Sequence, residues 1–337
     1  MITEAVKKLV DNQDLSYDEA LACMDEIFNG EATEIQTAGY LTALRMKGET
    51  VEEISASAKG MRNHATQLEH EGIEVLEIVG TGGDCSDSFN ISTTSGIVAA
   101  AAGIPIAKHG NRSVSSKCGA ADVLEALGVN IAIEPEKMSK VLKESNMSFM
   151  FAQIYHKAMK YVAPVRGNLG IRTIFNILGP LTNPANASMQ LMGVYEEALV
   201  EPMARVLANL GVKNGMVVYG QDCLDEISLS APTTVCEIRD GELKSYVIEP
   251  EQFGLKKCSK EDLVGGNPEE NAAITKAILG GEEKGPKRDA VVLNAAACIY
   301  IAGKADSIEA AVKVAEEMID SGKAMEVLNK FVELTNA

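Results

Sequence analysis

The feature that most limits what this chain can fold into is Gly80-Thr81-Gly82-Gly83-Asp84, which runs on through Cys85-Ser86-Asp87-Ser88-Phe89 into Asn90-Ile91-Ser92-Thr93-Thr94-Ser95. Val75-Leu76-Glu77-Ile78-Val79 before it is a short, mostly apolar run that reads as a buried strand. After it, Thr94 to Ala102 is rich in alanine and small apolar residues, and Gly103 can end a helix there. Glycines in a strand-to-helix turn let the backbone approach a ligand with its N–H groups bare, and the helix start adds the positive end of a dipole. Asp84 and the hydroxyls of Ser88, Ser92 and Thr93 surround that turn with polar groups, a setting suited to a phosphorylated ligand. A glycine-rich turn that only joins strand to helix has the same sequence, so this loop alone leaves both readings open.

A second stretch favours the ligand. Lys108-His109-Gly110-Asn111-Arg112-Ser113-Val114-Ser115-Ser116-Lys117-Cys118-Gly119 follows another short apolar strand, Ile104-Pro105-Ile106-Ala107. In a parallel sheet both strand ends face the same side, so the two polar loops converge on one crevice. The cations Lys108, Arg112 and Lys117 and the polar side chains of Asn111, Ser113, Ser115 and Ser116 match the charge and oxygen count of a diphosphate. The alternative is a solvated basic loop, here in an otherwise acidic chain.

At these stretches the sequence resembles the anthranilate phosphoribosyltransferase family, which carries GTGGD, NIST and KHGNRSVSS at this spacing. The resemblance runs on through Pro164-Val165-Arg166, Arg172-Thr173-Ile174-Phe175-Asn176, Leu178-Gly179-Pro180-Leu181-Thr182-Asn183-Pro184, Leu224-Asp225-Glu226 and Asn294-Ala295-Ala296, nearly the whole chain.

Composition sets outer bounds on the same reading. A chain of 337 residues with 46% hydrophobic content can hold a large core and is long for one domain. A net charge of −17 argues against nucleic acid or an anionic membrane as the main partner. Met1 leads straight into an amphipathic pattern with Lys7 and Lys8, so no signal peptide is expected, and no apolar run reaches bilayer length. Seven cysteines without a CxxC pair read as reduced thiols of a cytoplasmic protein.

The chain opens as helix, with Ile2, Val6, Leu9 and Val10 on one face. Ser16 with Glu19, Thr33 with Gln36 and Thr50 with Glu53 form successive capping boxes, and Gly30 and Gly48 stand where helices should stop. His64 and His70 read as solvent-facing. Beyond residue 74 the rhythm becomes strand then helix, with strands expected at Leu76–Val79, Ile104–Ala107, Asn130–Ile133, Ser148–Ala152, Gln190–Val194 and Met216–Tyr219. Helices are expected at Ala121–Leu127, Lys137–Glu144 and Glu196–Leu210, and a β-hairpin at Thr234–Arg239 and Leu243–Ile248 across Asp240-Gly241. The tail from Asn267 returns to helix, with one strand open at Ala290–Leu293. Tyr155 to Asn176 has a helical pattern broken at Pro164, Gly167 and Gly170, and Gly179 to Pro184 reads as an extended loop.

The expected fold is therefore α/β: a large domain with a mostly parallel central sheet flanked by helices, plus a small all-α N-terminal domain, the nucleoside phosphorylase-like phosphoribosyltransferase architecture. Its boundaries would be 1–72 for the small domain, with part of 160–185 packing on it, and 73–337 for the large one. The crossing of 160–185 is implied by the resemblance; the residues themselves show only punctuation.

The resemblance also implies the chemistry: transfer of the phosphoribosyl group of 5-phosphoribosyl 1-diphosphate to anthranilate, in tryptophan biosynthesis, by a homodimer assembled through the N-terminal helices. It assigns the diphosphate donor to Gly80, Gly83, Asp84, Ser88, Asn90, Ile91, Ser92, Thr93, Lys108, Asn111, Arg112, Ser113, Ser115, Ser116 and Ala120. It assigns anthranilate to Gly80, Asn111 and Arg166, and two Mg²⁺ ions to Ser92, Asp225 and Glu226. Taken alone, Asp225-Glu226 reads as a solvated loop; Arg166, just after the helix-breaking Pro164, is no ordinary surface arginine, with a structural ion pair as its alternative. No nucleophile is required, and His109 is the one candidate base, with His156 facing the same region.

Several positions depart from the family pattern. Cys85 and Cys223 stand where glycine is common, Cys118 and Ala120 where serine is, and Tyr219 and Gln221 alter the context of Asp225. Gln153 and Lys157 replace prolines around Tyr155-His156, and Asn168 replaces a glutamate. None removes a charge that the chemistry needs. Two rivals share the architecture: pyrimidine nucleoside phosphorylases, which lack KHGNRSVSS, and a nucleic-acid-binding branch with basic surfaces and lost phosphoribosyl motifs.

Overall fold

The first helices begin where a side chain can take up their free amides. The computed structural model describes residues 1–84, 86–113 and 117–337. α1 (Ile2–Val10), α2 (Tyr17–Phe28), α3 (Glu34–Lys47) and α4 (Val51–Asn63) follow one another. Ser16, Thr33 and Thr50 accept the backbone N–H three residues on, and Glu19, Gln36 and Glu53 reach back, so all three capping boxes form. Glu53 is fully buried, where it also accepts the Leu15 N–H and pairs with Lys47 at 2.8 Å.

Two details of this lobe differ from expectation. α1 is rolled toward Ala5, burying Ile2, Ala5 and Leu9 and leaving Val10 70% exposed. His64 and His70 are half-buried; for His64 this is because α2 leans on the end of α4, its ring lying against Phe28 and its Nε2 2.9 Å from Asp25 Oδ1.

The chain then enters the sheet through β1 (Leu76–Gly80), α5 (Ile91–Ala101), β2 (Ile106–Gly110), α6 (Ala120–Ala126), α7 (Pro135–Ser145) and β3 (Met147–Phe151). A helical excursion follows, α8 (Ala152–Tyr155), α9 (Ala163–Leu169) and α10 (Phe175–Leu181), before β4 (Met189–Gly193), α11 (Val200–Asn209) and β5 (Asn214–Gly220). The hairpin β6 (Thr233–Arg239) and β7 (Glu242–Ile248) closes the sheet, and α12 (Pro268–Leu279), α13 (Pro286–Ile301), α14 (Ile308–Asp320) and α15 (Lys323–Asn336) complete the chain. Among the described residues the strand order is β3-β2-β1-β4-β5-β6-β7, parallel from β3 to β5 and antiparallel beyond. The order reverses at β1, which opens a crevice at the strands' C-terminal ends.

Three segments correct the sequence reading. Asn130–Ile133 alternates buried and exposed like a strand but is a turn, because Asn130 Oδ1 accepts the Ala132 N–H and the segment docks on Thr335 of α15 instead of a partner strand. Ala290–Leu293 lies inside α13, whose apolar run reflects burial on all sides. Pro164 starts α9, where its missing N–H costs nothing, and Gly179-Pro180-Leu181 form the last turn of α10 rather than an extended loop.

Two apolar clusters hold the chain. One surrounds α5 and the C-terminal helices beneath the sheet, with Ile78, Ile97, Ile106, Leu293 and Phe331 among its buried members. The other joins α1–α4 to Val162, Val165, Ile174, Phe175 and Leu178, and continues onto Met192 of β4, Val217 of β5 and Leu207 of α11. The helical lobe is thus continuous with one face of the sheet, and α9 and α10 lie in its core.

Candidate active site

The glycine loop owes its shape to what crowds it. Gly82 and Gly83 have φ of 69° and 75°, a region L side chains rarely adopt. A Cβ on Gly80 or Gly193 would run into Asp225, so the loop after β5 can press against the ends of β1 and β4 only because both are glycine. Pressed there, Asp225 Oδ2 accepts the Gly82 N–H at 2.7 Å, and Glu226 Oε1 accepts the Ser92 N–H at 3.1 Å. The Asp225 N–H in turn points at Asp84 Oδ2 at 3.5 Å. Asp84, Ser92, Asp225 and Glu226, distant in the chain, are brought together as one cluster of hard oxygen donors.

Its electrostatics follow from burial. Asp225 is pushed up to about 7, first by desolvation and then by Asp84; Glu226 is pushed up to about 8 by desolvation and Asp225, against the pull of Lys108. The Lys108 ammonium is buried, donating to the Ile78 carbonyl at 2.7 Å and Ser92 Oγ at 3.2 Å, and desolvation lowers its pKa against Glu77 and Glu226. It is the one cation set directly beneath this carboxylate pair among the described residues. Asp225 and Glu226, with Asp84 nearby, are the oxygen donors a hard cation such as Mg²⁺ would use, since it binds a few carboxylates and keeps its remaining positions for water and phosphate oxygens; as they stand, no three acidic, histidine or cysteine side chains among the described residues are arranged to hold a metal between them.

The second loop is stapled by Asp122 of α6, whose Oδ2 accepts from Ser113 N at 3.0 Å and Gly119 N at 2.8 Å. Arg112 does not project into the crevice as the loop's free cation: its guanidinium is held by Asp122 at 2.9 Å and Glu125 at 2.5 Å and lies over Phe151. Asn90 ties the two loops together, its Nδ2 donating to the Cys118 carbonyl at 3.2 Å. Ile91 and Thr93 lie on the inner face of α5 with their side chains buried, so each can offer a ligand only its main chain. Ser88 forms a bridge with Val264, Asn111 is exposed at the loop tip, and Ala120 begins α6. Ser115, Ser116 and Cys85 lie outside the described residues.

On the helical side, Arg166 of α9 is half-buried over the Phe175 ring, 5.5 Å from its centroid, with no carboxylate partner among the described residues, and desolvation lowers its pKa. His109 and His156 meet with ring centroids 4.9 Å apart, and the Nε2 of each is buried without a partner among the described residues. Burial holds His109 well below its ordinary range and His156 down to about 4, so both are neutral. His109 can orient an amine as an acceptor; as a base it is weak.

Several residues that sequence reasoning passed over shape the site. Asn294 of α13 is fully buried, with Oδ1 accepting from Ile227 N at 3.0 Å and Nδ2 donating to Ile227 O at 2.9 Å, which fixes the peptide next to Glu226. Arg172 donates to the Gly83 carbonyl at 3.0 Å and stacks on Tyr195. Glu77, an acid inside a buried strand, accepts the His109 N–H at 2.9 Å. Asn294 and Arg172 lay in motifs quoted for the resemblance; Glu77 was legible only as a lone acid in an apolar run.

Comparison with known proteins agrees with this fold. The Glycosyl transferase family, helical bundle domain, matches residues 3–65, and the Glycosyl transferase family, a/b domain, matches 72–325. The anthranilate phosphoribosyltransferase of Methanobrevibacter smithii is 66% identical over the full length of both chains. The crystal structure of the Thermus thermophilus anthranilate phosphoribosyltransferase superposes with a TM-score of 0.94 at 44% identity, covering 99% of each chain. The Saccharomyces cerevisiae enzyme, solved in complex with PRPP and Mg, has a TM-score of 0.91 at 29% identity, covering 99% of this chain and 98% of that one. The chain belongs to the glycosyl transferase family represented by these two domains, and within it to the anthranilate phosphoribosyltransferases.

Proposed function

We propose that this protein transfers the phosphoribosyl group from 5-phosphoribosyl 1-diphosphate to the amine of anthranilate, releasing diphosphate, as a step of tryptophan biosynthesis. The observation that carries this reading is the buried Asp225–Glu226 pair hydrogen-bonded to amides of the glycine loop and of the α5 N-terminus. Such a cluster has little use in a merely structural turn.

In this reading the donor lies across the ends of β1 and β2. The main chains of Gly80, Gly83, Ile91 and Thr93 lie against the diphosphate at the positive end of α5. Asp84, Ser88, Asn90, Ser92, Asn111, Ser113, Ser115, Ser116 and Ala120 line the ribose and phosphates, Arg112 contributes its main chain, and Lys108 supplies positive charge from below. Ser92, Asp225 and Glu226 hold two Mg²⁺ ions, with Asp84 alongside. Bound Mg²⁺ would neutralise the diphosphate and favour its departure.

Anthranilate enters from the helical lobe. Arg166 pairs with its carboxylate, Asn111 hydrogen-bonds it and Gly80 leaves room for its ring. His109, neutral, accepts a hydrogen bond from the amine and aims its lone pair at the ribose C1 carbon. Positive charge develops at that carbon as diphosphate leaves, so positioning and charge stabilisation do the catalytic work.

Residues 1–72 with part of 160–185 form the acceptor-side domain and 73–337 the donor-side domain, a division supported by the shared apolar cluster of α1–α4 with α9 and α10. The protein works as a homodimer in the cytoplasm. Ile35 and Met46, three turns apart on α3 and more than 80% exposed, support the first statement, and the free thiols of Cys23, Cys223, Cys236, Cys258 and Cys298 support the second. The test is loss of anthranilate fluorescence with phosphoribosyl diphosphate and Mg²⁺; no loss with all three present, at micromolar enzyme, would overturn the reading.

A further inference from the structure

In this parallel sheet each of the pairs β1–β4, β2–β3 and β4–β5 runs in register over five residues, but β1 and β2 pair only at Leu76 and Ile106. Beyond that point the two strands part, and two charged side chains fill the gap. Glu77 of β1 accepts the backbone N–H of His109 on β2, at 2.9 Å to Oε1 and 3.3 Å to Oε2. Lys108 of β2 donates to the backbone carbonyl of Ile78 on β1 at 2.7 Å. Each strand's side chain thus replaces a ladder partner that the other strand has lost, and the buried backbone groups stay satisfied.

The Glu77 carboxylate has a second task. Asn183 Nδ2 donates to its Oε2, and to the Ala107 carbonyl at 2.7 Å. Asn183, fully buried, lies where the chain returns from the helical lobe into β4. The same return segment is held by Arg62, whose Nε donates to Leu181 O at 2.7 Å, by Gln190, whose Nε2 donates to Pro180 O at 2.7 Å, and by His109 Nδ1 at 3.3 Å from Gly179 O. One carboxylate therefore grips the loop that begins at His109 and the segment that ends the α9–α10 excursion, on which Arg166 is carried.

We propose that Glu77 is a positioning residue that fixes the donor loop at the end of β2 against the acceptor-bearing helices α9 and α10, and so sets the approach of amine to ribose. This rests on the proposed transferase reading. A buried carboxylate here exposes nothing to either substrate, so its effect falls on alignment, where a shift of about 1 Å can cost roughly a hundredfold in rate.

The test combines Glu77→Gln, Asn183→Ala and the double variant, with kinetics and hydrogen–deuterium exchange on each. Glu77→Gln keeps the shape but turns an amide N–H₂ toward donors. Its kcat should fall roughly tenfold to a hundredfold, with KM for both substrates within about threefold. Exchange should quicken about tenfold or more in 105–113 and in 179–188 together, with α1–α3 unchanged, as loss of a charged hydrogen bond allows. Added to Asn183→Ala, Glu77→Gln should cost no more than about twofold further in kcat.

Unchanged kcat, exchange that quickens in only one segment, or losses that multiply in the double variant would each overturn the proposal. If Glu77→Gln does not fold, Asn183→Ala decides, since exchange must still rise at the His109 amide, which Glu77 holds and Asn183 does not contact. The exchange measurement needs no turnover, so an inactive wild-type protein would refute the transferase reading and leave the Glu77 coupling to be judged on its own.

Discussion

Replacing the carboxylate pair by amides, Asp225→Asn with Glu226→Gln, should abolish turnover and yet stabilise the metal-free protein at alkaline pH. In the folded chain Asp225 is raised from 3.8 to about 7 and Glu226 from 4.5 to about 8, chiefly by burial. Folded-state values above the unfolded ones mean that the folded protein holds extra protons between roughly pH 4 and pH 8. That stabilisation is complete below the unfolded values and is lost as pH rises through the folded ones. A tenfold change in a proton-binding constant corresponds to about 1.4 kcal/mol. The two groups repel and titrate as a pair, so about 2–4 kcal/mol should disappear between pH 6 and pH 8. At about 2 °C per kcal/mol for a chain of this size, melting in the presence of chelator should fall by roughly 4–8 °C over that range.

The double variant supplies the control. Neutral His109 and His156 have lowered values, so their contribution has the opposite sign: it grows as pH rises toward the unfolded histidine value of 6.5 and is complete only above it, in the lower part of this window. Glu77, raised to about 8 by burial, has the same sign as the pair. All three contribute equally to wild type and variant, so the difference in slope between the two belongs to Asp225 and Glu226. Because a hard cation needs both carboxylates ionised, Mg²⁺ should raise the wild-type melting temperature more at pH 8 than at pH 6, and leave the variant unmoved. Calorimetric melts with chelator or Mg²⁺ at both pH values measure this. Equal slopes in wild type and variant, or an Mg²⁺ effect that survives the double substitution, would refute the assignment.

Two further substitutions separate the sites. Arg166→Ala should raise KM for anthranilate roughly tenfold to a hundredfold, the worth of one charge-assisted hydrogen bond, with KM for the diphosphate donor nearly unchanged; equal weakening of both in initial-rate kinetics would make Arg166 a structural or phosphate-side residue. Lys108→Met should do the reverse, weakening the donor, and should also cost about 3–5 kcal/mol in chemical denaturation because it strands Glu77 without its buried counter-charge; a variant as stable as wild type would show that the gap between β1 and β2 does not depend on this pair.

The parts of the site that were legible in the sequence are those in which consecutive residues serve one crevice. Gly80 to Asp84 is a local signal, glycines where a loop needs positive φ or close approach, whereas Asp225-Glu226 taken alone reads as a solvated loop and stands out only through the resemblance. The capping boxes at Ser16, Thr33 and Thr50 were legible for the same reason, since each closes within one turn. Where the pattern was right but the partner lay elsewhere, the reading failed. Asn130–Ile133 alternates like a strand, yet nothing local could reveal that Thr335 of α15 takes the place of a neighbouring strand. For Arg112 a basic loop is all the local pattern shows, and the acids that engage its guanidinium, Asp122 and Glu125, stand on the following helix; its place at the donor stays a proposal, through its main chain.

Glu77 shows the deeper limit. In Leu76-Glu77-Ile78-Val79 a single acid among apolar residues gives no sign of whether it faces solvent or a buried donor. Its meaning depends on two distant stretches: Lys108-His109, through an ammonium and a backbone N–H, and the side chain of Asn183. These meet only because β1 and β2 part after one residue pair. A parting of strands is a property of the sheet and not of either strand, so no window of sequence contains it. The same parting that hides Glu77 from the sequence lets Lys108 reach from β2 to Ser92 at the start of α5, beneath Glu226. The gap in the ladder and the charge balance of the crevice therefore have one cause: two strands that separate enough for a lysine and a glutamate to replace backbone pairing, with the lysine set where negative charge collects.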